Sequence, residues 1–173
     1  MRINRIQLTL VREECHGYGP GTNHKMGSGD DVYKFFSFLI GAVQEELHAL
    51  YLDPKNKIIG YHQVAKGSNN QACISPADIL RPALLTNAVS IILAHNHPSG
   101  DPTPSQIDRD VTRKLQEAAY LFQVKLLDHV VIGRNGYWSI IHDQEHTVTE
   151  LKRESPRLQP CGGVKHAEGE SLF

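Results

Sequence analysis

The run Ala88-Val89-Ser90-Ile91-Ile92-Leu93-Ala94 limits the fold more than any other part of the chain. Apolar residues occupy both of its faces, so it reads as a buried strand. It leads directly into His95-Asn96-His97-Pro98-Ser99-Gly100-Asp101-Pro102-Thr103-Pro104-Ser105-Gln106-Ile107-Asp108. His95 and His97, two apart, leave the strand end on one face, where a single metal ion can collect both.

A helix is predicted to follow. Thr103-Pro104-Ser105-Gln106 has the form of a capping box, with Pro104 at the first helical position and Gln106 able to reach back to the cap amide. Ile107, Val111, Leu115, Ala118 and Phe122 recur at spacings of four, four, three and four, which is one face of a helix. Asp108 falls in the first turn, one residue off that stripe, and can point back toward the strand end that carries the histidines. Two nitrogens and one oxygen leave a fourth tetrahedral position open for water, as in catalytic rather than closed zinc sites.

The remaining pattern places this segment in a sheet. Ile6, Leu8 and Leu10 alternate with Gln7, Thr9 and Val11 and predict an opening strand, followed by a loop from His16 to Gly29. From Asp31, residues Val32, Phe35, Phe36, Leu39, Ile40 and Val43 form a helical stripe. Glu45 to Leu52 follows as a strand that is apolar on both faces. Asp53-Pro54-Lys55-Asn56 turns it into a hairpin with Lys57 to Val64. Ser75-Pro76-Ala77-Asp78 then caps a helix whose buried side is Ile79, Leu80, Ala83 and Leu84. Strand, helix and strand alternate as a mixed sheet requires. Val124 to Ile132 is the next strand, Gly133-Arg134-Asn135-Gly136 a turn of the Asn-Gly kind, and Tyr137 to Ile141 a returning edge strand that could pair across a homodimer. Pattern fades beyond His146, so residues 147–173 are expected to be a flexible tail or docking segment.

Composition narrows the function classes. In 173 residues, 18 Lys and Arg face 19 Asp and Glu, and a formal charge of -1 gives no electrostatic argument for a nucleic-acid partner. Cys15, Cys73 and Cys161 are odd in number and far apart, which speaks against a disulfide framework and a cysteine-type zinc site. Free thiols fit a reducing, cytoplasmic setting. No apolar stretch is long enough for a signal peptide or a membrane span.

A metal-activated water needs a carboxylate near the metal but not bound to it. Glu45 and Glu46 are the candidates; on a strand they face opposite ways, so only one can serve. Ser105, three residues before Asp108, can offer its hydroxyl to the developing oxyanion. Taken singly, each piece has a plainer reading. A His-x-His pair is common by chance, Ser three before Asp at a helix start is mostly capping, and Glu-Glu is mostly a solvated strand end. Asp128-His129 is read as a buried polar pair of its strand; the other reading is a pair that holds a ligand imidazole by its second nitrogen. The remaining histidines are assigned surface or hydrogen-bonded structural roles.

As a set, His95-Asn96-His97-Pro98, six residues, Ser105, two residues and Asp108, with a glutamate about fifty positions upstream, resembles the JAMM (MPN-plus) metalloprotease motif. His95 to Gly100, Leu127-Asp128-His129 and Asp53 to Gly60 resemble the RadC-like JAB domain of bacteria, over a stretch from about Arg5 to Ile141. The resemblance implies that His95, His97 and Asp108 hold one Zn2+ ion, that Ser105 helps stabilise the oxyanion, and that the upstream glutamate is general acid and base. Counting back eight positions from Asp53, as the family pattern suggests, selects Glu45 over Glu46. It also implies an α/β deaminase-like three-layer sandwich, with a mixed β-sheet flanked by helices, over residues 1–146.

The reading that follows is a zinc-dependent hydrolase cutting a peptide or isopeptide bond in a peptide or protein substrate. The alternative is a DNA-associated accessory protein of RadC type whose metal site is structural or vestigial. Full-length RadC-like proteins carry an N-terminal helix-hairpin-helix region usually linked to DNA, and this chain is expected to lack it. A nucleobase deaminase would need His-x-Glu and a later Pro-Cys-x-x-Cys, and neither is present. A scaffold without ligands is disfavoured because every expected ligand type is there.

Overall fold

The computed structural model describes residues 24–67 and 74–148. The strand predicted at Ile6 to Leu10, the first part of the loop from His16, and residues 149–173 lie outside the described residues. Helix α1 (Gly29–Phe35) opens at Ser28, whose hydroxyl accepts the Asp31 amide while Asp31 accepts the Ser28 amide in return. It starts earlier than its apolar stripe suggests and ends sooner, passing at Phe36 into a short 3-10 turn, Ser37–Leu39. Val32, Phe35, Phe36 and Leu39 are buried, but Val43 is 90% exposed, because the chain leaves the helical path and turns at Gly41, with φ 79°.

Strands β1 (Glu46–Leu52) and β2 (Ile58–Lys66) form the expected hairpin. Asp53 Oδ1 accepts the amides of Lys55 and Lys57 at 2.7 and 2.9 Å, and Asn56 closes the turn at φ 58°. Helix α2 (Pro76–Leu85) is capped by Ser75 with Pro76 in its first turn. Ile79, Leu80 and Ala83 are buried; Leu84 is 45% exposed and does not belong to the buried side. Strand β3 (Ser90–Asn96) is buried at every position, as its composition dictates.

Helix α3 (Gln106–Leu121) departs from the predicted start. Its cap is Ser105, not Thr103, and Pro104 precedes the cap instead of opening the helix. Its buried stripe rotates accordingly to Asp108, Thr112, Leu115 and Ala119, leaving Ile107 and Phe122 about half exposed. The apolar periodicity misled because a polar site, not a hydrocarbon core, lies under the first two turns. Strands β4 (Lys125–Ile132), β5 (Gly136–Ser139) and β6 (Gln144–Thr147) complete a six-stranded sheet in the order β2-β1-β3-β4-β5-β6. Only β3 and β4 are parallel, as a crossover through α3 requires.

The edge predicted at Tyr137 to Ile141 is covered. Strand β6 pairs with β5 from Gly136 opposite Thr147 to Ser139 opposite Gln144, so the backbone groups offered to a second copy are already used. The turn also differs from the Asn-Gly type: Ile132 pairs with Tyr137 around a four-residue loop, and neither Asn135 nor Gly136 has a positive φ.

One face of the sheet packs Leu50, Leu52, Ile92, Ala94, Val130 and Ile132 against α1. The other packs Leu47, Ala49, Ile91, Leu93 and Leu126 against α2 and α3. The protein is therefore an α/β three-layer sandwich with a mixed sheet. Among the described residues no helix is long and apolar enough to cross a membrane.

Candidate metal centre

Alternation along β3 sorts the motif between the two faces. Ile91, Leu93 and His95 point toward α2 and α3, while Ile92, Ala94 and Asn96 point toward α1. Leu47 of β1 pairs with His95, so Glu45, two residues before Leu47, lies on the His95 side. Glu46 lies on the other side and is fully engaged there. Its carboxylate is 3.2 Å from His48 Nε2 and 2.8 Å from Lys66 Nζ, and it accepts Gln63 Nε2 at 2.8 Å. Burial pushes its carboxyl up, but the Lys66 ammonium and the hydrogen bonds from Lys66 and His48 outweigh it and hold the carboxyl below the ordinary range.

His97 stands on the loop past β3, and its Nδ1 donates to the Asp101 carbonyl at 2.8 Å, turning Nε2 inward. Asp108 arrives from the first turn of α3. Its Oδ2 accepts the amide and hydroxyl of Ser105 at 2.7 and 2.6 Å, while Ser105 Oγ accepts the Asp108 amide at 3.2 Å. Ser105 thus caps the helix and holds the carboxylate, and in this geometry its proton is committed to Asp108. Glu45, His95, His97 and Asp108 each offer a ligand atom within 4.8 Å of the others.

The distances fit a single small cation. His95 Nε2 is 3.1 Å from His97 Nε2 and 3.3 Å from Asp108 Oδ1, and His97 Nε2 is 3.5 Å from Asp108 Oδ2. A tetrahedral ion with ligands at about 2.0–2.1 Å sets neighbouring ligand atoms about 3.3 Å apart. Glu45 Oε1 sits further off, 3.8 and 4.0 Å from the two Nε2 atoms, beside the triangle and not at one of its corners. Asp108 is only 3% exposed, and burial pushes its carboxyl up; the two imidazoles and Ser105 more than reverse this and hold it far below the ordinary range. The Asp108 carboxylate in turn raises the pKa of His97. A buried carboxylate in this setting requires a positive neighbour, whether protonated imidazole or metal ion.

Two further residues back the cluster. His129, on β4, places Nε2 2.9 Å from His95 Nδ1, and Thr112 Oγ1 lies 2.6 Å from His129 Nδ1. Of the two partners in Asp128-His129, it is His129 that contacts the second nitrogen of the His95 imidazole. Asp128 instead accepts Ser139 Oγ and the His129 amide, and so serves the strand. Burial, reinforced by the neighbouring His95, keeps the His129 pKa well below its usual value. Sequence reasoning missed Thr112, although four residues past Asp108 is the same helix face and a polar residue there is a signal. It also missed Asn96, which alternation alone sends to the far face. His48 packs among Phe36, Phe38 and Tyr61, and His146 stacks on Tyr137. Both stand outside the centre.

Comparison with known proteins agrees in where it falls. The family model for the RadC-like JAB domain matches residues 26–147. A UPF0758 protein of Carboxydothermus hydrogenoformans is 46% identical over 112 residues, covering 64% of this chain and 50% of the relative. Another, of Thermotoga maritima, is 38% identical over 121 residues, covering 70% and 54%. A third, of Chlorobium phaeovibrioides, is 40% identical over 138 residues, covering 78% and 61%. The chain spans about half the length of the first two curated relatives it matches.

Proposed function

Because the chain belongs to the family of RadC-like JAB domains, we propose that it is a hydrolase dependent on one zinc ion held by His95, His97 and Asp108, and that it cleaves a peptide or isopeptide bond in a peptide or protein substrate. The observation that carries this reading is the place of Glu45. Its Oε1 is 3.8 Å from His95 Nε2 and 4.0 Å from His97 Nε2, too far out to complete the ligand triangle and near enough to share a water with it. Two imidazoles and a carboxylate are a donor set suited to zinc.

When bound, zinc supplies a Lewis acid that polarises a carbonyl and brings the pKa of a water to about 7. The chain's own residues do the rest. Glu45 takes a proton from the water as its oxygen attacks the carbonyl carbon, then returns that proton to the leaving nitrogen as the carbon–nitrogen bond breaks. Ser105, exposed at the rim, turns its hydroxyl from Asp108 toward the carbonyl oxygen as negative charge develops there. The Ser105 amide still holds Asp108 Oδ2 at 2.7 Å after that rotation, so the carboxylate does not drift. His97 keeps its orientation through Asp101.

The test is a purified, zinc-loaded chain assayed on a panel of peptides and isopeptide-linked conjugates. Wild type should hydrolyse at least one member, and Glu45→Gln should lose more than about 100-fold in rate while retaining one zinc per chain. Glu46→Gln, altered on the far face, should remain active. Full activity in Glu45→Gln would overturn the assignment.

A further inference from the structure

Thr112 and His129 form a chain of hydrogen bonds whose direction is fixed by chemistry. Thr112 Oγ1 lies 2.7 Å from the backbone carbonyl of Asp108. Two oxygens so close need a proton between them, and a carbonyl has none to give, so the threonine hydroxyl is the donor. Its single proton is thereby used. The 2.6 Å contact from Thr112 Oγ1 to His129 Nδ1 must then be bridged by a proton on the imidazole. Next, His129 Nε2 lies 2.9 Å from His95 Nδ1. All three residues are at most 3% exposed, so water is not at hand to rearrange the order.

We propose that Thr112 and His129 are positioning residues that lock His95 in the tautomer protonated at Nδ1, leaving the Nε2 lone pair aimed at the ligand triangle. The backbone carbonyl of Asp108 is the anchor: it accepts from Thr112, Thr112 accepts from His129 Nδ1–H, and His129 Nε2 accepts from His95 Nδ1–H. Reversing the chain would put the His95 proton on Nε2, where it would block metal binding. One residue therefore contributes twice, since the Asp108 side chain faces the same imidazole whose tautomer its backbone sets. A metal-ligating imidazole whose other nitrogen is held in this way is usually the better ligand. The purpose assigned to the chain rests on the proposed metal reading, but the tautomer does not.

Nitrogen-15 NMR of the imidazoles, recorded on the metal-free wild type well above a histidine pKa of about 6.5, reads the tautomer directly. His95 is expected to carry its proton on Nδ1 and His129 on Nδ1. Thr112→Val keeps the side-chain shape and removes the hydroxyl; zinc affinity against a competing chelator should fall by about 10–100-fold, and the His95 tautomer should become mixed. Thr112→Ser should restore both. A purely packing role for Thr112 would move the melting temperature and leave tautomer and affinity in place. His95 protonated on Nε2 in wild type, or Thr112→Val with unchanged zinc affinity and tautomer, overturns the proposal. Wild type that shows the expected tautomer and binds no zinc overturns the metal reading and leaves the proton order standing.

Discussion

Asn96 Oδ1 accepts the backbone amide of Glu46 at 3.0 Å, tying the end of β3 to the residue that follows Glu45. The same side chain donates through Nδ2 to the Gln44 carbonyl at 3.1 Å. Asn96 thus grips the backbone on both sides of Glu45 from beneath the sheet, at 1% exposure. Asn96→Ala should free Glu45 without touching a ligand. Zinc content is expected to stay at one per chain while turnover drops by about 100-fold, the usual cost of misplacing a reacting group by an ångström. Unchanged turnover in that variant would remove Asn96 from the account.

Ser105 and Asp108 separate capping from ligation. Ser105→Ala removes one helix-capping oxygen and should lower stability by about 1 kcal/mol, read from urea midpoints, with zinc still bound. Asp108→Asn removes the carboxylate that meets both imidazoles, so zinc should be lost altogether. A Ser105→Ala variant that also lost its zinc would show that the hydroxyl matters to the centre more than to the helix.

Ligand removal should be visible in the melting curve. A metal present at 100 times its dissociation constant stabilises the folded state by about 2.7 kcal/mol. A chelator should therefore lower the melting temperature of wild type by several degrees. His97→Ala should melt at nearly the same temperature with and without chelator; an equal chelator response in that variant would exclude His97 as a ligand.

The metal-free fold should weaken in mild acid. Burial holds the pKa of His48 below its ordinary value, although the Glu46 carboxylate pulls it upward. The unfolded chain then takes up the proton first, so stability is complete above about pH 6.5 and falls as pH drops through that value toward the folded one. Urea midpoints measured on either side of neutrality should show the loss, and His48→Phe should reduce the slope. Identical slopes for the two proteins would assign the acid sensitivity elsewhere.

Gly136 is required by space and not by backbone angle. A Cβ there would meet the His146 carbonyl oxygen at contact distance well inside van der Waals range, and that oxygen belongs to the paired β5–β6 backbone. Gly136→Ala should cost about 2–3 kcal/mol and loosen β6 first, detectable as faster amide exchange at Gln144 to Thr147.

Much of this arrangement is legible in the sequence. The order of strands and helices followed from apolar runs, and alternation placed Glu45 and Glu46 on opposite faces of β1. The spacing from His95 to Asp108 marked residues that the fold does gather. What the pattern hid was polar. Thr112 lies on the face of α3 that stays buried, whereas the apolar periodicity predicts a stripe through Ile107 and Phe122, which are exposed. Strand β6, Gln-Glu-His-Thr, has no apolar alternation at all and is held by backbone pairing to β5, for which the sequence carries no mark.

The capping box at Ser105 and Asp108 gives the motif a second grammar. Three residues from cap to third helical position is the spacing any α-helix imposes on its own start, whatever chemistry it serves. The interval that reads as the mark of a hydrolase is therefore a rule of chain punctuation, borrowed by the centre. A helix that failed to begin at Gln106 would carry Asp108 away from the two imidazoles in the same event, so the start of α3 and the closure of the three-donor cluster are one step of folding.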